Sequence, residues 1–355
     1  MTANQPIQVA NFTIGAGHRP FVIAEMSGNH NQSLSRALEI VDAVADAGAH
    51  ALKLQTYTPD TITFNGSSEE FYIRDAKSLW VDKNLYKLYE QAYTPWEWHK
   101  PIFEHAQKRG MIAFSSPFDT TAVDFLESLN VPLYKIASFE NTDHILLKKI
   151  AQTGKPVIMS TGVASLADLD ESVKVLRENG CKNLVLLKCT STYPATSETT
   201  NLLTIPHMRQ LFDLPIGLSD HTMGIGAAVA AVALGAVVLE KHVTLRRAEG
   251  GVDSAFSLEP DELKSLVIET ERTSLAMGQV SYTLTPKEQK SLQFKRSLYV
   301  VHDVKTGEAF TPDNVRSIRP SNGLHTRYYE QVLTCFASQD IKAGTALHWD
   351  LIDKE

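Results

Sequence analysis

Cysteine is scarce in this chain: Cys181, Cys189 and Cys335 are the only three among 355 residues, with no CxxC spacing. This excludes a disulfide-stapled secreted fold and a cysteine-built zinc module, and it fits a reducing, cytoplasmic setting. Long apolar runs are missing too. The longest, residues 224–239, is broken by glycines and followed by Glu240-Lys241-His242, so it reads as a buried helix running into a buried strand, not a membrane span. Residues 1–20 lack a basic start followed by an apolar stretch, so no secretory signal is expected. There is no excess of positive charge: the formal net charge is −7. That argues against nucleic-acid and acidic-membrane partners, and an anionic substrate must be met by a locally basic pocket. GxxxxGK[ST], a GxGxxG after a strand, and GxSxG do not occur, which removes the usual nucleotide-binding and serine-hydrolase readings.

What the sequence does contain is alternation. Strand-like apolar runs at 21–26, 50–56, 111–117, 132–138, 156–161, 183–190, 215–221 and 237–244 alternate with segments of helical spacing. Those include 34–47, 95–109, 120–129, 144–153, 165–179 and 260–277, with candidate N-caps at Ser33 or Ser35, Thr94, Ser165 and Glu259. Eight strand–helix repeats predict a (β/α)8 TIM barrel over 1–278. The stretch 57–83 is a long insertion carrying Phe64, Phe71, Tyr72 and Trp80, and reads as a lid or substrate wall. A polar linker, 279–293, leads to a small β module, 294–355, in which residues 302–310 and 339–347 form a weak repeat.

Polar side chains gather at the carboxyl ends of the strands, where α/β proteins place their chemistry. Side chains two apart on a strand share a face, which pairs Ser219 with His221, Glu240 with His242, and Lys53 with Gln55. Lysines inside otherwise apolar strands (Lys53, Lys135, Lys188) are costly unless paired or facing an anion. With Ser116, Ser138, Ser160, Ser191 and Ser219 they read as a cradle for phosphate and carboxylate. His221 and His242 have two readings: an open site for manganese, zinc, iron or cobalt, or two hydrogen-bonded histidines at strand ends. Glu25 is a candidate third ligand or base. Cys189 and the aromatics of YTPWEWH (93–99) read as packing residues.

The segments IAEMSGNHNQ, KLQTY, FSSPFD, YKIAS, STG, KCTSTYP, GLSDHT, LEKHVT and GGVDSAFSLEP, in this order, resemble the sialic acid synthase family. The C-terminal module resembles that family's antifreeze-like domain, a SAF or β-clip fold. The resemblance implies a transferase that condenses phosphoenolpyruvate with an amino sugar to a nine-carbon 2-keto acid. AEMSGNHN, NLYKLYEQAYTPWEWH and GGVDSAFSLEP resemble one branch, whose sugar is a trideoxy hexose with two acetamido groups. The N-acetylneuraminate and legionaminate branches remain alternatives, as does a non-catalytic carbohydrate-binding protein. It implies that His221 and His242 hold manganese, with magnesium or cobalt as alternatives. Lys53, Gln55, Ser116, Lys135, Ser138, Ser160, Ser191, Tyr193 and Ser219 would bind substrate. Glu25 would act as a base or orient a water or sugar hydroxyl, with Asp220 and Glu240 nearby. A swapped homodimer would bring Arg319 of one subunit to the sugar in the other. Two departures stand out: Ser191 replaces the family's asparagine, and Lys188 replaces its histidine.

Overall fold

The barrel is assembled from strands that read as continuous apolar runs, as parallel strands covered on both faces must. The computed structural model describes residues 5–353 apart from Lys77, so the outer ends of both expected domains and one residue of the 57–83 insertion lie outside the described residues. The strands are β1 (Phe21–Glu25), β2 (Ala51–Thr56), β3 (Ile112–Pro117), β4 (Tyr134–Ile136), β5 (Val157–Ser160), β6 (Leu184–Cys189), β7 (Ile216–Asp220) and β8 (Val238–His242). All neighbours pair in parallel, and β8 closes on β1. The expected eight-stranded barrel is therefore what forms. Gly217 shows how tight the closure is: a Cβ there would lie 2.3 Å from the Val238 carbonyl oxygen and 2.5 Å from Leu187.

Helices Leu34–Asp46, Trp96–Lys108, Thr120–Ser128, His144–Ala151, Leu166–Glu178, Thr204–Phe212, Gly226–Ala233 and Pro260–Met277 coat the strands. Ser33 and Ser165 cap their helices through their hydroxyls, and Glu259 caps a helix that starts with Pro260. Thr94 does not cap: Pro95 takes that position, and the Thr94 hydroxyl turns inward to His30 Nε2 at 3.1 Å. The sequence reading passed over the hairpin Ile7–Val9/Phe12–Ile14, the helix Leu85–Ala92 and the helix Thr204–Phe212.

The chain divides into two compact units, Met1–Gly278 and Gln279–Glu355. The stretch expected to be a plain linker contains a helix, Pro286–Ser291, capped by Thr285. In the second unit the weak repeat has a physical meaning. Val304 and Ile341, equivalent positions, exchange backbone hydrogen bonds of 2.9 and 2.8 Å. Lys305 pairs with Asp340 at 2.8 Å and Lys342 with Asp303 at 2.7 Å, so the two copies hold each other by the same contacts made reciprocally. Leu298, Val300, Phe310, Val315 and Leu347 fill its core.

Candidate active site

Strand alternation sorts the polar residues into two sets. On one face of the strand ends, Glu25, Lys53, Lys135 and Glu240 converge, each at most 5 % exposed. Lys53 Nζ lies 2.5 Å from Glu25 Oε2 and 3.8 Å from Glu240 Oε2. Lys135 Nζ lies 3.6 Å from Glu240 Oε1, which also accepts from the Ser219 hydroxyl at 3.1 Å. Burial works against every charge here, and the partners decide the outcome. Lys135 and Lys53 outweigh burial at Glu240 and hold its carboxyl below the usual range. Burial wins at Glu25, whose pKa rises although Lys53 opposes it. Burial likewise lowers Lys135, whereas Glu240 and Glu25 keep Lys53 raised despite it. The cluster thus holds a firmly ionised pair, Lys53 and Glu240, and two groups readier to exchange a proton, Glu25 and Lys135. Oε1 of Glu25 has no hydrogen-bond partner among the described residues.

Hydroxyls surround these ammoniums. Lys53 donates to Ser116 at 3.2 Å, and Lys135 donates to Ser160 at 2.7 Å. The Gly162 N–H donates to Ser138 Oγ at 3.2 Å. A Cβ on Gly162 would sit 2.1 Å from Ser191 Oγ and 2.8 Å from Ser138 Oγ, so only glycine lets these hydroxyls close around the backbone. Two lysines, an N–H and four serines within one small cradle suit a phosphate and a carboxylate. Glu140, in the 3-10 turn Ser138–Glu140 after β4, faces this cradle, and burial raises its carboxyl to about 7 even though Lys135 and Lys53 oppose it.

Beyond the cluster, the rings of His221 and His242 lie 5.3 Å apart. His221 Nδ1 meets the Thr190 carbonyl at 3.1 Å, which fixes the proton on Nδ1 and leaves Nε2 as the free lone pair. His242 Nδ1 is buried without a hydrogen-bond partner among the described residues, and burial together with His221 keeps its pKa well below the usual value, so the ring is neutral. Two imidazoles of this kind fit a divalent transition ion with several positions left open. No group of three or more His, Cys, Asp and Glu able to hold an ion occurs among the described residues. Cys189 Sγ lies 3.9 Å from His221 Nδ1. Burial would raise the thiol, but its hydrogen-bonded contact with the His221 ring, helped by Ser138 and Ser191, brings it down to about 7. Aromatic rings wall the pair: Tyr193 is 4.5 Å from His221, and Phe256 is 5.0 Å from His242 and 5.3 Å from Tyr193. Asp253, hydrogen-bonded to Ser27, places Oδ2 3.8 Å from His242 Nδ1.

The NeuB family model matches residues 40–282, which take in the barrel from β2 to β8, and the SAF domain model matches residues 295–353. The chain belongs to the NeuB family. It is 45 % identical to the pseudaminic acid synthase of Campylobacter jejuni, a match covering 96 % of this chain and 98 % of that one. The N,N'-diacetyllegionaminic acid synthase of the same organism is 36 % identical over 91 % of this chain and 97 % of its own. The crystal structure of N-acetylneuraminic acid synthetase from Leptospira borgpetersenii in complex with citrate superposes with a TM-score of 0.72 at 32 % identity, covering 82 % of this chain and 96 % of that one.

In this NeuB-family chain the barrel brings together Glu25, Lys53, Ser116, Lys135, Ser138, Ser160, Ser191, Tyr193, Ser219, His221, Glu240 and His242. Gln55 shares the Lys53 face and pairs in register with Ser116. Three residues fall elsewhere. Asp220 sits between Ser219 and His221 and so faces the other way, where it accepts from Lys241 at 2.7 Å and from Thr222. Lys188 likewise turns outward to Thr190, so only two of the three strand lysines converge. Arg319 follows the strand Val315–Ile318 and is exposed. Trp96 and Trp98 pack as expected, on Phe125 and His30. Sequence reasoning missed Glu140 and Asp253 as site residues. Glu140 lies two residues beyond the YKIAS motif and Asp253 lies inside GGVDSAFSLEP, in the loop after β8, where no strand periodicity marks a direction.

Proposed function

We propose that this chain is a pseudaminic acid synthase, condensing phosphoenolpyruvate with 2,4-diacetamido-2,4,6-trideoxy-L-altrose and water to give pseudaminic acid and phosphate. The end-to-end identity to a pseudaminic acid synthase, higher than to a legionaminate-type enzyme of the same organism, carries this choice of sugar.

The residues supply a coherent chemistry. The cradle of Lys53, Lys135 and the serines neutralises the carboxylate and phosphate of phosphoenolpyruvate and fixes its C3 toward the aldehyde carbon of the open-chain sugar. His221 and His242 would hold a divalent ion, manganese in our reading, which would supply Lewis acidity at that aldehyde. The new bond joins C3 to the aldehyde carbon, and positive charge develops at C2. Water adds there and gives up one proton while the former aldehyde oxygen gains one; the bond from C2 to the bridging phosphate oxygen then breaks as the new hydroxyl becomes the C2 carbonyl, and the hydroxyl proton leaves with the phosphate. Glu25, raised by burial and with an unpartnered oxygen, suits the acceptance of a proton from that water, while ionised Glu240 faces the developing positive charge. The three cysteines, all free, support a cytoplasmic location. We further propose a homodimer in which Arg319 of one subunit serves the other subunit's sugar.

The decisive assay is phosphate release with phosphoenolpyruvate and manganese against three sugars: the altrose derivative, its legionaminate-type counterpart and N-acetylmannosamine. Turnover of the first at a kcat/KM at least about tenfold above the others is expected, the discrimination one lost apolar group supports. Preference for another sugar overturns the choice of branch.

A further inference from the structure

The charged side of the site is taken up by the cradle, so the sugar, once its aldehyde lies at the His221–His242 pair, extends along the aromatic side. That side is a chain of rings. Tyr193 lies against His221, and Trp80 lies 5.8 Å from Tyr193, tilted by 52°. Trp80 comes from the insertion between β2 and the helix Leu85–Ala92, not from the barrel. Its indole N–H donates to the Val252 carbonyl at 3.0 Å. This bond ties the insertion to the loop carrying Asp253 and Phe256, and it satisfies the ring's polar atom so that its remaining edge and face present only carbon. Trp80 also lines a cleft of about 600 Å3 with Asn31, Gln32, Lys83, Val252 and Ala255.

We infer that Trp80 is a specificity-determining residue that packs against the far end of the sugar and selects a deoxygenated, acetamido-bearing chain over a hydroxylated one. The inference rests on the pseudaminic acid synthase reading. A 6-deoxy hexose ends in a methyl group and carries two acetamide methyls, and burying these against an indole is favourable. A terminal hydroxymethyl at the same place loses water without gaining a partner. The two ring-to-ring steps from His221 to Trp80 run from the aldehyde end toward the far end of an open-chain hexose. Removing the indole opens this wall toward the cleft.

The test compares Trp80→Ala and Trp80→Phe with the unaltered enzyme, measuring phosphate release with the altrose derivative and with N-acetylmannosamine at saturating phosphoenolpyruvate and manganese. In Trp80→Ala, kcat/KM for the altrose derivative should fall about tenfold or more through KM, while that for N-acetylmannosamine changes less than about twofold and KM for phosphoenolpyruvate is unmoved. Trp80→Phe should recover most of the loss. Equal losses with both sugars, or a raised KM for phosphoenolpyruvate, would show that Trp80 only holds the insertion in place and would overturn the inference. If the unaltered enzyme prefers N-acetylmannosamine, the assignment of the sugar falls by itself. Trp80 is then judged on whether its removal shifts the ratio of the two sugars at all.

Discussion

Burial lifts Glu140 to about 7 although two lysines pull the other way, which gives this residue a consequence at each pH. In the unfolded chain the carboxyl titrates near 4.5, and in the fold it holds its proton to about 7. The folded form therefore binds more protons between these values, so the stability linked to Glu140 falls as pH rises from about 4.5 to about 7 and is level above. Glu140→Gln keeps the shape and removes the ionisation. Its stability relative to the unaltered protein should rise across that window, read by urea unfolding at pH 5 and pH 8. The kcat/KM profile, which reports the free enzyme, should lose an inflection near pH 7. An unchanged profile would mean that Glu140 ionises without consequence for catalysis. The same burial acts on histidines outside the site. His30 and His99 are each pressed to about 4 by burial and stay neutral, supporting packing through Thr94 and Thr56.

At the scale of elements, the two-residue period of a strand decides which neighbours do chemistry and which hold the barrel. Asp220 and Lys241 lie side by side on β7 and β8, 1–2 % exposed, turned away from the cradle. Removing one member leaves a buried charge alone, which typically costs about 3–5 kcal/mol. Asp220→Ala should therefore lower the urea midpoint sharply while the surviving folded enzyme keeps its KM for phosphoenolpyruvate. Normal stability with lost turnover would instead return Asp220 to the catalytic set. This pair also shows how much the sequence disclosed. The strands were legible because buried parallel strands are apolar end to end, and the Ser219/His221 and Glu240/His242 pairs because alternation places them. Asp220, expected near the site from the family resemblance, is set opposite to Ser219 by the same alternation and bonds to Lys241 instead. Lys188, expected in the cradle as a lysine inside an apolar strand, is set opposite to Cys189 and turns to Thr190. The hairpin Ile7–Val9/Phe12–Ile14 escaped because three-residue strands are too short to show a period. Glu140 and Asp253 lie in turns, and Trp80, expected in a lid or substrate wall, in an insertion; the direction of each is set by tertiary contacts such as the Trp80–Val252 hydrogen bond and not by local pattern.

At the scale of the molecule, the proposed dimer makes a claim about connectivity that two inactive variants can decide together. His242→Ala disables the barrel it sits in. Arg319→Ala disables the SAF domain's contribution, on the proposal that this exposed arginine serves a neighbouring subunit's sugar. If domains are exchanged, a mixed dimer has one barrel with both histidines covered by a SAF domain with its arginine, and one site that lacks both. Random mixing makes half of the dimers mixed, so about a quarter of all sites are intact. Co-expressing the two variants should then restore about a quarter of the unaltered activity, well above the sum of the separate variants. If each SAF domain serves its own barrel, every site in the mixture lacks either His242 or Arg319, and the activity stays at that sum. Full activity of Arg319→Ala alone would remove the arginine from the reaction. Because the restored fraction depends on which chain supplies which residue and not on how strongly either contributes, the outcome reads the arrangement of subunits directly.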